Sequence, residues 1–541
     1  MSPNPVIDTL MVNGVSYNLP ANTDEVVYLV NQAQQAKQVV CLRGAAHSRP
    51  LISSLEAEVN AGRLYILLSK MKAVTFNDAS RQVTVEGGCH LGYDPSDPLD
   101  AAPAALAAYR STLENSLVYQ LDNHRTDPQN PLKGWALPDL GGIIHQTVGG
   151  FLSTGSSGSN LYASFNEQLV SVTIVTGGTD GARVQVFSKD DPKYPNKNEN
   201  PFYAVGVGLG MFGVIVSATF QCVDNFNIKG QESTTTEADC PIDLFGDHPE
   251  KESLVDFFTK KTYKRIMWWP QSGVNRTVIW QAEPMPVSAG FVPNPYKEIP
   301  NIKIMGIETP LPLELCAHLM MNGFSDIDVF LSKLKVQHPV AYEFLKALDE
   351  KELVPFLLKL FVPLDPVVNG TPQPQQFQDV WYGSIPMDDK ISDTLIPVWF
   401  TELWFPIETG VKVLSTLKTF FQQNPDIVGN FSYEIYPARH SDFWLSAAYQ
   451  RDVFRIDMFW YGDNAGSPLN EFYPTLWNEL YNAGLVFRPH WGKFLPAGDS
   501  QEGKAYLRNN YPNWDQWMAI REQMDPHQVF VSDYWRSHLF A

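Results

Sequence analysis

The chain has 541 residues and a mass of 60.8 kDa, with 44% hydrophobic and 18% charged residues. This composition argues against a disordered or fibrous protein and predicts two domains, or one domain with a large insertion. The formal net charge is -19 and no long run of Lys or Arg occurs. That balance argues against nucleic acid or an anionic membrane surface as the main partner.

Cysteines and chain termini give no sign of a metal site or an anchor. The five cysteines are scattered, odd in number and without a CxxC pair, so we expect neither a disulfide framework nor a metal. No apolar run is long enough to cross a bilayer, and MSPNPVIDTLMVNG has no signal-peptide pattern. We expect a soluble monomer or homodimer, secreted or periplasmic if a signal was removed and otherwise cytoplasmic.

The N-terminal elements alternate between helix and strand. VVYLVNQAQQA (26–36) has helical spacing, whereas VVCL, LYILLS and QVTVEGG are short apolar or β-branched runs that predict strands. The order is that of a βαβ unit.

A second block of strands begins near Leu169. LVSVTIVTGG and ARVQVFS predict a hairpin around GGTDGA, and FGVIVSATFQCV predicts a long strand. Between the two blocks, the Pro- and Ala-rich stretch 94–134 predicts an Ala-rich helix inside a long excursion.

Aromatic residues dominate the middle of the chain, from about 225 to 482. Candidate strands such as VWFTELWFP and FRIDMFWYG are interleaved with candidate helices DIDVFLSKLKV (326–336) and AYEFLKALDEKELVPFLLKLF (341–361). This pattern predicts a sheet with helices on one face.

Three Gly-rich stretches are candidates for ligand binding. GLGMFG (208–213) matches the dinucleotide fingerprint, but a strand-like VIVSATF follows it instead of a helix, so we interpret it as a turn. In CLRGAAHSRP (41–50), small residues follow a strand and would let a diphosphate approach the backbone. The alternative is a histidine that only caps a turn.

The third stretch, LGGIIHQTVGGFLSTGSSGSN (140–160), is a poor strand and a good ligand-binding loop. Its backbone carries little bulk and is lined with hydroxyl groups. Two such loops in one domain imply a large ligand that contains a diphosphate.

These motifs carry a family resemblance. RGAAHS, TVGGFLSTGSSG, RPHWGK (488–493) and DPHQVFVSDYWR (525–536) together resemble the vanillyl-alcohol oxidase superfamily of FAD enzymes. RPHWGK is similar to the branch of aldonolactone and alditol oxidases. IMWWPQSGVNRTVIW and IPVWFTELWFP are similar to the substrate domain of type II, covalent-flavin cholesterol oxidases.

The resemblance implies an α+β protein with two domains. Residues 1–228 would form a PCMH-type FAD-binding domain of two α/β subdomains, and residues 229–484 a substrate-binding cap with a large antiparallel sheet and helices on one face. Residues 485–541 would return to the FAD domain. The implied cofactor is FAD, bound covalently through His47.

The resemblance also implies which residues hold the cofactor. Cys89 precedes the second loop, so a second, cysteinyl bond is not expected. The implied contacts are Arg43, Gly44, Ala45, Ala46 and Ser48 for the diphosphate, Gly149, Gly150, Ser153, Thr154, Gly155, Ser156 and Gly158 for the flavin and ribityl chain, and Ile215 for the adenosine half.

The implied catalytic residues depart from the family pattern at one position. YEIYPARHSDFWLS (433–446) supplies Glu434 as the base, but Tyr436 stands where the family has Arg. Either Arg439 supplies the guanidinium or Tyr436 orients the alcohol itself, and Glu434 paired with Arg439 as a structural salt bridge is the alternative to catalysis.

Further site candidates come from the same resemblance. His490 and Lys493 would lie near the flavin ring. Glu402 would be costly to bury unpaired, so it either faces a polar cavity or pairs with a cation such as Arg276 or Lys493. The aromatic residues Trp268, Trp269, Trp399, Phe400, Trp404 and Phe405 would either wall an apolar pocket or form ordinary core.

The expected function is oxidation of a secondary alcohol. Hydride would pass to flavin N5 and O2 would be reduced to H2O2; an apolar 3β-hydroxysteroid such as cholesterol is the expected substrate, with isomerisation to the enone and transient contact with a membrane surface. The alternatives are an alditol or aldonolactone oxidase or dehydrogenase, and a flavin-binding protein without turnover. A pocket lined with paired polar groups would favour the sugar-derived substrate.

Overall fold

The computed structural model describes most of the chain. Residues 5–298 are described except 58–60, 128 and 131, and residues 350–540 except 390–397, 426, 430 and 463–465. Between these parts, only positions 303, 304, 307, 308, 335, 336, 339 and 343 are described.

The first sheet contains the predicted βαβ unit. Its helices are Thr23–Ala36 and Arg49–Glu56; the Asn22 side chain caps the first by accepting from the Glu25 backbone N–H. In spatial order its four strands are Asp8–Val12, Val15–Leu19, Arg63–Leu67 and Val39–Arg43. Arg63–Leu67 and Val39–Arg43 are parallel, as the βαβ order predicts.

The second sheet has five antiparallel strands. The predicted hairpin around GGTDGA is confirmed, and GLGMFG is a turn leading into a strand. The strands, in spatial order, are Val74–Asn77, Gln82–Glu86, Val214–Gln221, Leu169–Thr176 and Arg183–Ser188.

The long Ala-rich helix predicted in the excursion 94–134 is wrong. Two short 3-10 helices, Pro98–Ala101 and Ala104–Tyr109, are followed by the α-helix Leu117–Asp122. Pro98 and Pro103 cannot donate a backbone hydrogen bond, so each can begin a helical turn but cannot continue one.

The third sheet confirms the predicted cap architecture. It has eight antiparallel strands, and its apolar face packs against helices Leu254–Lys260, Gly410–Gln423 and Tyr473–Asn482. The strands in spatial order are Gln375–Val380, Asn227–Thr236, Arg276–Met285, Tyr263–Trp269, Tyr433–Ala438, Val453–Tyr461, Val398–Pro406 and Arg488–Pro489.

Two predicted helices fall partly or wholly in the undescribed part of the chain. Of DIDVFLSKLKV, only the last two residues are described. Of AYEFLKALDEKELVPFLLKLF, the helix Glu350–Phe361 is described. Cys316 also lies outside the described residues, and the other four cysteines are free and buried.

The C-terminal segment contacts both the large sheet and the first sheet. Its short strand Arg488–Pro489 completes the eight-stranded sheet, and the Val40 N–H donates to the Val529 carbonyl at 2.7 Å. The helices of this segment are Lys504–Asn510, Trp514–Met524 and Asp533–Leu539. Within the described residues, no helix is long and apolar enough to span a bilayer.

Candidate active site

Two adjoining cavities define the candidate site. The first, with about 1320 Å³ of empty space, is lined by loops from both N-terminal sheets. The second, with about 1520 Å³, lies over the face of the large sheet opposite helices Leu254–Lys260, Gly410–Gln423 and Tyr473–Asn482. A ligand that fills the first cavity would therefore meet the second where they share residues: His47, Gln146, Phe151, Ser156, His490 and Lys493.

The loop after strand Val39–Arg43 forms one wall of the first cavity, and every residue from Gly44 to Ser48 lines it. A Cβ at Gly44 would lie 2.6 Å from Thr147 Oγ1, so the position has no room for one. Ala46 has a φ of 64°, a left-handed conformation that costs energy for a residue with a Cβ. The small residues are therefore required by this turn, and His47 follows it into both cavities.

Arg43 lines the first cavity, but its guanidinium has a partner within the first sheet. It hydrogen bonds to Glu56, which also accepts from the Tyr17 hydroxyl at 2.6 Å. A direct contact between Arg43 and a diphosphate, as the resemblance implies, would have to displace Glu56.

The second Gly-rich loop forms the opposite wall. It continues into helix Val148–Ser153, whose Thr147 cap accepts from the Gly150 N–H. Of the residues implied by the resemblance, Gly149, Gly150, Ser153, Thr154, Ser156 and Ile215 line the first cavity, whereas Gly155 and Gly158 do not.

Gly158 instead packs tightly against Asp139, a buried residue that organises the loop. A Cβ at Gly158 would lie 2.1 Å from Asp139 Oδ1. Asp139 accepts from the Ser157 hydroxyl, the Gly158 and Phe165 N–H groups and the Asn160 side-chain amide, at 2.7 to 3.1 Å. One carboxylate thus fixes the end of the second Gly-rich loop, residues 140–160, which we call the cofactor loop.

Residues alternate between the two faces of the large sheet, so the cavity face collects polar side chains. Glu402 and Asp457 are directly opposite on neighbouring strands, and so are Asp457 and Glu434. Side chains paired in this way lie roughly 5 Å apart at Cβ. Glu402, Asp457 and Glu434 form what we call the acidic row.

Glu434 has the surroundings of a proton acceptor. It is 3% exposed, accepts a hydrogen bond from the Tyr436 hydroxyl, and lies 3.5 Å from Arg265 Nη1. Burial and repulsion from Asp388 raise its pKa to about 8. A carboxyl with such a pKa exchanges its proton near neutral pH, as a general base for a hydroxyl must.

Arg455 places a guanidinium beside Tyr436, the position at which the family pattern has Arg. It does so from the neighbouring strand. It is the cross-strand partner of Tyr436, and its guanidinium carbon lies 4.5 Å from the Tyr436 ring centre. Arg455 donates to Glu402 Oε1 at 2.9 Å and to the Gly158 carbonyl at 3.2 Å. It therefore ties the acidic row to the cofactor loop.

Asp457 lies in the middle of the acidic row. It is 7% exposed and lines the second cavity, and within the described part of the chain its buried Oδ1 has no hydrogen-bond partner. Burial and the negative charges of Glu402 and Glu434 raise its pKa well above the usual value. Asp457 therefore holds its proton more tightly than an exposed aspartic acid does.

Glu402 behaves in the opposite way. It is buried, which disfavours the charged form, yet its pKa is lowered because His490, when protonated, and the cations Arg455 and Lys493 lie beside it. It both faces the cavity and pairs with a cation, although the cation in direct contact is Arg455; Arg276 instead donates to the Val274 carbonyl.

The RPHWGK motif lies where the cavities meet. Burial lowers the pKa of His490 to about 4, so its imidazole is neutral. The Gly492 N–H donates to Nδ1 at 3.0 Å, so Nε2 carries the proton and donates to the Ser156 hydroxyl at 3.0 Å. Lys493 Nζ lies 3.8 Å from the centre of the Phe400 ring.

Arg439 lies away from this cluster. It follows the end of strand Tyr433–Ala438, donates to the Tyr162 carbonyl, and lines neither cavity. Arg439 therefore neither takes the place of the family's arginine beside Glu434 nor forms a salt bridge with Glu434, because it lies beyond the end of the strand that holds Glu434.

Only part of the expected aromatic wall faces the cavity. Trp269 and Phe400 line it, whereas Trp268 and Phe405 pack in the core under the helices. Trp404 lies beneath Arg455, with 5.2 Å between ring centre and guanidinium carbon. The described lining instead contains six carboxylates, Glu232, Glu298, Asp388, Glu402, Glu434 and Asp457, and the three cations Arg49, Arg455 and Lys493.

Sequence reasoning missed several residues of this site. Arg455 and Asp457 lie in FRIDMFWYG, where two-residue alternation predicts that they share a face. Asp388 pairs with Arg265 from a loop after helix Trp381–Ser384, and no sequence signal marked that contact.

Comparisons with known proteins agree with these motifs. Residues 390–538 match the D-arabinono-1,4-lactone oxidase family model. L-gulonolactone oxidase of Scyliorhinus torazame is 22% identical over 97% of this chain and 95% of its own length, and that of Bos taurus 24% over 96% and 93%. D-arabinono-1,4-lactone oxidase of Saccharomyces cerevisiae is 27% identical over 49% of this chain and 40% of its own.

Solved structures show the same fold. A histidine-to-alanine mutant of cholesterol oxidase from Brevibacterium sterolicum covers 100% of this chain and 99% of its own, with a TM-score of 0.66 and 16% identity. A chitooligosaccharide oxidase covers 95% and 90%, with a TM-score of 0.56 and 13% identity. The resemblance to the vanillyl-alcohol oxidase superfamily and the predicted α+β fold are confirmed.

Proposed function

We propose that this chain, which has the fold and motifs of the vanillyl-alcohol oxidase superfamily, is an FAD-dependent oxidase of hydroxyl groups in sugar-derived lactones or alditols, with O2 as acceptor. The observation that carries the proposal is the cavity over the large sheet. Glu434, Arg455 and Lys493 converge there, within a lining of six carboxylates. The full-length relatives that resemble the chain in sequence are lactone oxidases by name.

This lining argues against the 3β-hydroxysteroid that the aromatic middle region suggested. A sterol offers one hydroxyl, and its hydrocarbon rings would cover a lining of six carboxylates, among them the buried Oδ1 of Asp457, without replacing the hydrogen bonds of the displaced water. A lactone or alditol carries a hydroxyl on most of its carbons. The likeness to cholesterol oxidase concerns the fold and does not transfer its substrate.

Three features of the first cavity support FAD as its ligand. The cavity has about 1320 Å³ of empty space, its walls are built from small residues such as Gly44, Gly149 and Gly150, and it opens toward the acidic row at His490. When bound, FAD supplies the two-electron acceptor for the hydride of the alcohol carbon. His47 would hold it covalently, through a C–N bond that replaces one C–H bond of the 8α-methyl group while two electrons and two hydrogens pass to O2.

The chain's own residues supply the proton chemistry. Glu434 takes the hydroxyl proton, and the Tyr436 hydroxyl fixes the orientation of its carboxylate. Arg455 and Lys493 stabilise the negative charge that develops on the substrate oxygen as the proton leaves. Neutral His490 holds Ser156 in the cofactor loop through its Nε2–H.

The first experiment asks whether flavin is bound and how. The purified protein is precipitated with acid, denatured with SDS and examined for in-gel flavin fluorescence, beside His47→Ala and the control His248→Ala, a surface histidine outside both cavities. We expect fluorescence to stay with the wild type and the control and to be lost from His47→Ala. Flavin lost from all three would contradict the covalent link.

The second experiment tests the substrate class. H2O2 release is measured with aldono-1,4-lactones, alditols and cholesterol in detergent. We expect turnover of lactones or alditols and none of cholesterol. Peroxide from cholesterol alone would refute the proposal, and a flavin-loaded protein inactive on every substrate would favour a binding protein without turnover.

A further inference from the structure

A second row of side chains runs beside the acidic row and has no role in the chemistry above. Phe400 and Phe459 are cross-strand partners with ring centres 4.7 Å apart. The series continues from Phe459 to Phe431 at 5.8 Å, Phe431 to Trp269 at 5.4 Å, and Trp269 to Phe361 at 5.9 Å. All five residues line the second cavity, and we call them the aromatic row.

The two rows are parallel. Glu402 and Phe400 are two residues apart on one strand, as are Asp457 and Phe459 on the next, so each pair projects from the same face. Glu434 continues the acidic row on strand Tyr433–Ala438, and Phe431, just before that strand, continues the aromatic row through its contact with Phe459. Each row therefore crosses the sheet from the strand beside His490 toward the strand Tyr263–Trp269.

The rows are longer than the reaction requires. Four neighbouring strands span roughly 14 Å, since strands lie about 4.8 Å apart. Oxidation of one hydroxyl uses the length from Lys493, which lies beside Glu402, to Glu434. Trp269 and Phe361 continue the aromatic row beyond Phe431 and have no part in it. The remaining length is lined by partly open aromatic rings and by carboxyl groups.

The acidic row also has an unsatisfied atom. Asp457 Oδ1 is buried and has no hydrogen-bond partner among the residues that the structure describes, although the side chain faces the cavity. Leaving such an atom unpaired costs about 1–3 kcal/mol, so a ligand group that reaches it would bind favourably. This atom lies midway along the row and not at its end.

Sugar rings match both rows at once. A pyranose presents hydroxyl groups at its edge and C–H bonds on its faces, and the electron-rich face of an aromatic ring attracts such C–H bonds. A steroid would pack against the aromatic row, but it would remove water from the acidic row without replacing the lost hydrogen bonds.

We propose that the second cavity binds a saccharide of two or more sugar units. The reacting unit lies between Lys493 and Glu434 with a hydroxyl on Asp457, and the further unit places its ring face on Phe431 and Trp269. This inference rests on the proposed function and adds the length of the substrate to it.

The test uses sorbitol, maltitol and maltotriitol, which differ only in the number of attached glucose units. Binding to the flavin-loaded protein is measured without O2 through the change in flavin absorbance, and kcat/KM is measured from H2O2 release. We expect maltitol to exceed sorbitol by about tenfold or more in both affinity and kcat/KM. Equal values, or no binding of any of the three, would overturn the inference.

Variants of Phe431 test the role of the aromatic row. Phe431→Leu keeps an apolar side chain without a ring, whereas Phe431→Tyr keeps the ring. We expect Phe431→Leu to bring the ratio of maltitol to sorbitol close to one, and Phe431→Tyr and the surface control Tyr93→Ala to leave it unchanged. A ratio that Phe431→Leu does not alter would refute the aromatic row as the second binding position.

The outcomes separate the two proposals. Peroxide from sorbitol or a lactone without any preference for maltitol refutes the longer substrate and leaves the oxidase intact. Peroxide from cholesterol alone refutes both, because the aromatic row would then bind the steroid rings.

Discussion

At the scale of single residues, Glu434 should set the pH dependence of the reaction. It accepts a proton only when ionised, and burial with repulsion from Asp388 raises its pKa to about 8. We therefore expect kcat to rise as pH increases through about 8 and to level off above it. Glu434→Gln, which preserves the shape and an acceptor for Tyr436, should lower kcat by roughly 10²- to 10⁴-fold.

A suitable comparison for that variant is Glu283→Gln. Glu283 accepts from Thr262 near one end of strand Arg276–Met285 and lines neither cavity. We expect its pH profile to follow that of the wild type. A Glu434→Gln enzyme with the same rise near pH 8 would assign that titration to another group.

The replacement of one arginine explains why the sequence predicted Glu434 but not its partner. Tyr436 was visible as a departure from the family pattern, and Arg439 was the nearest basic residue along the chain. The structure provides Arg455 instead, which is 19 residues away in sequence but directly opposite in the sheet. Register between strands is a tertiary property that a single strand pattern does not specify.

At the scale of elements, the loop 155–160 depends on one carboxylate. Asp139 accepts four hydrogen bonds from this loop and from Phe165. In Asp139→Asn, an amide donor would face these donors, so we expect a loss of about 3 kcal/mol in the free energy of unfolding and weaker flavin retention.

The surface variant Asp180→Asn provides the control, since that side chain is exposed and pairs with Arg183 on the surface. Its unfolding free energy should change by less than about 0.5 kcal/mol. Urea unfolding followed by tryptophan fluorescence measures both variants. Equal stability for the two would show that the loop does not need Asp139.

Elements with a clear period could be predicted, and elements that depend on distant contacts could not. Helix Thr23–Ala36, the hairpin and the aromatic strands follow from 3.6- or two-residue periods. The excursion 94–134 has high helix propensity in its alanines, but prolines and contacts with the first sheet determine its short turns.

At the scale of the molecule, the C-terminal segment closes the core between the two N-terminal sheets. Phe530 is 4% exposed and packs with residues of helix Thr23–Ala36 and of strands from both sheets. Asp525 fixes this segment by accepting from the Val529 and Phe530 N–H groups at 2.9 and 3.0 Å. Trp535, a few residues on, lines the first cavity.

This arrangement predicts that the C-terminus and the cofactor cavity unfold together. Phe530→Ala should lower the free energy of unfolding by about 3–5 kcal/mol, because it removes a large side chain from a packed core. Flavin release and loss of tryptophan fluorescence should then shift to lower urea concentration by the same amount. Val186→Ala, at a side chain exposed on the edge strand Arg183–Ser188, should shift neither. Flavin released well before the core unfolds would instead mean that the C-terminal segment opens as a separate unit, so that Trp535 leaves the cavity while both sheets stay folded.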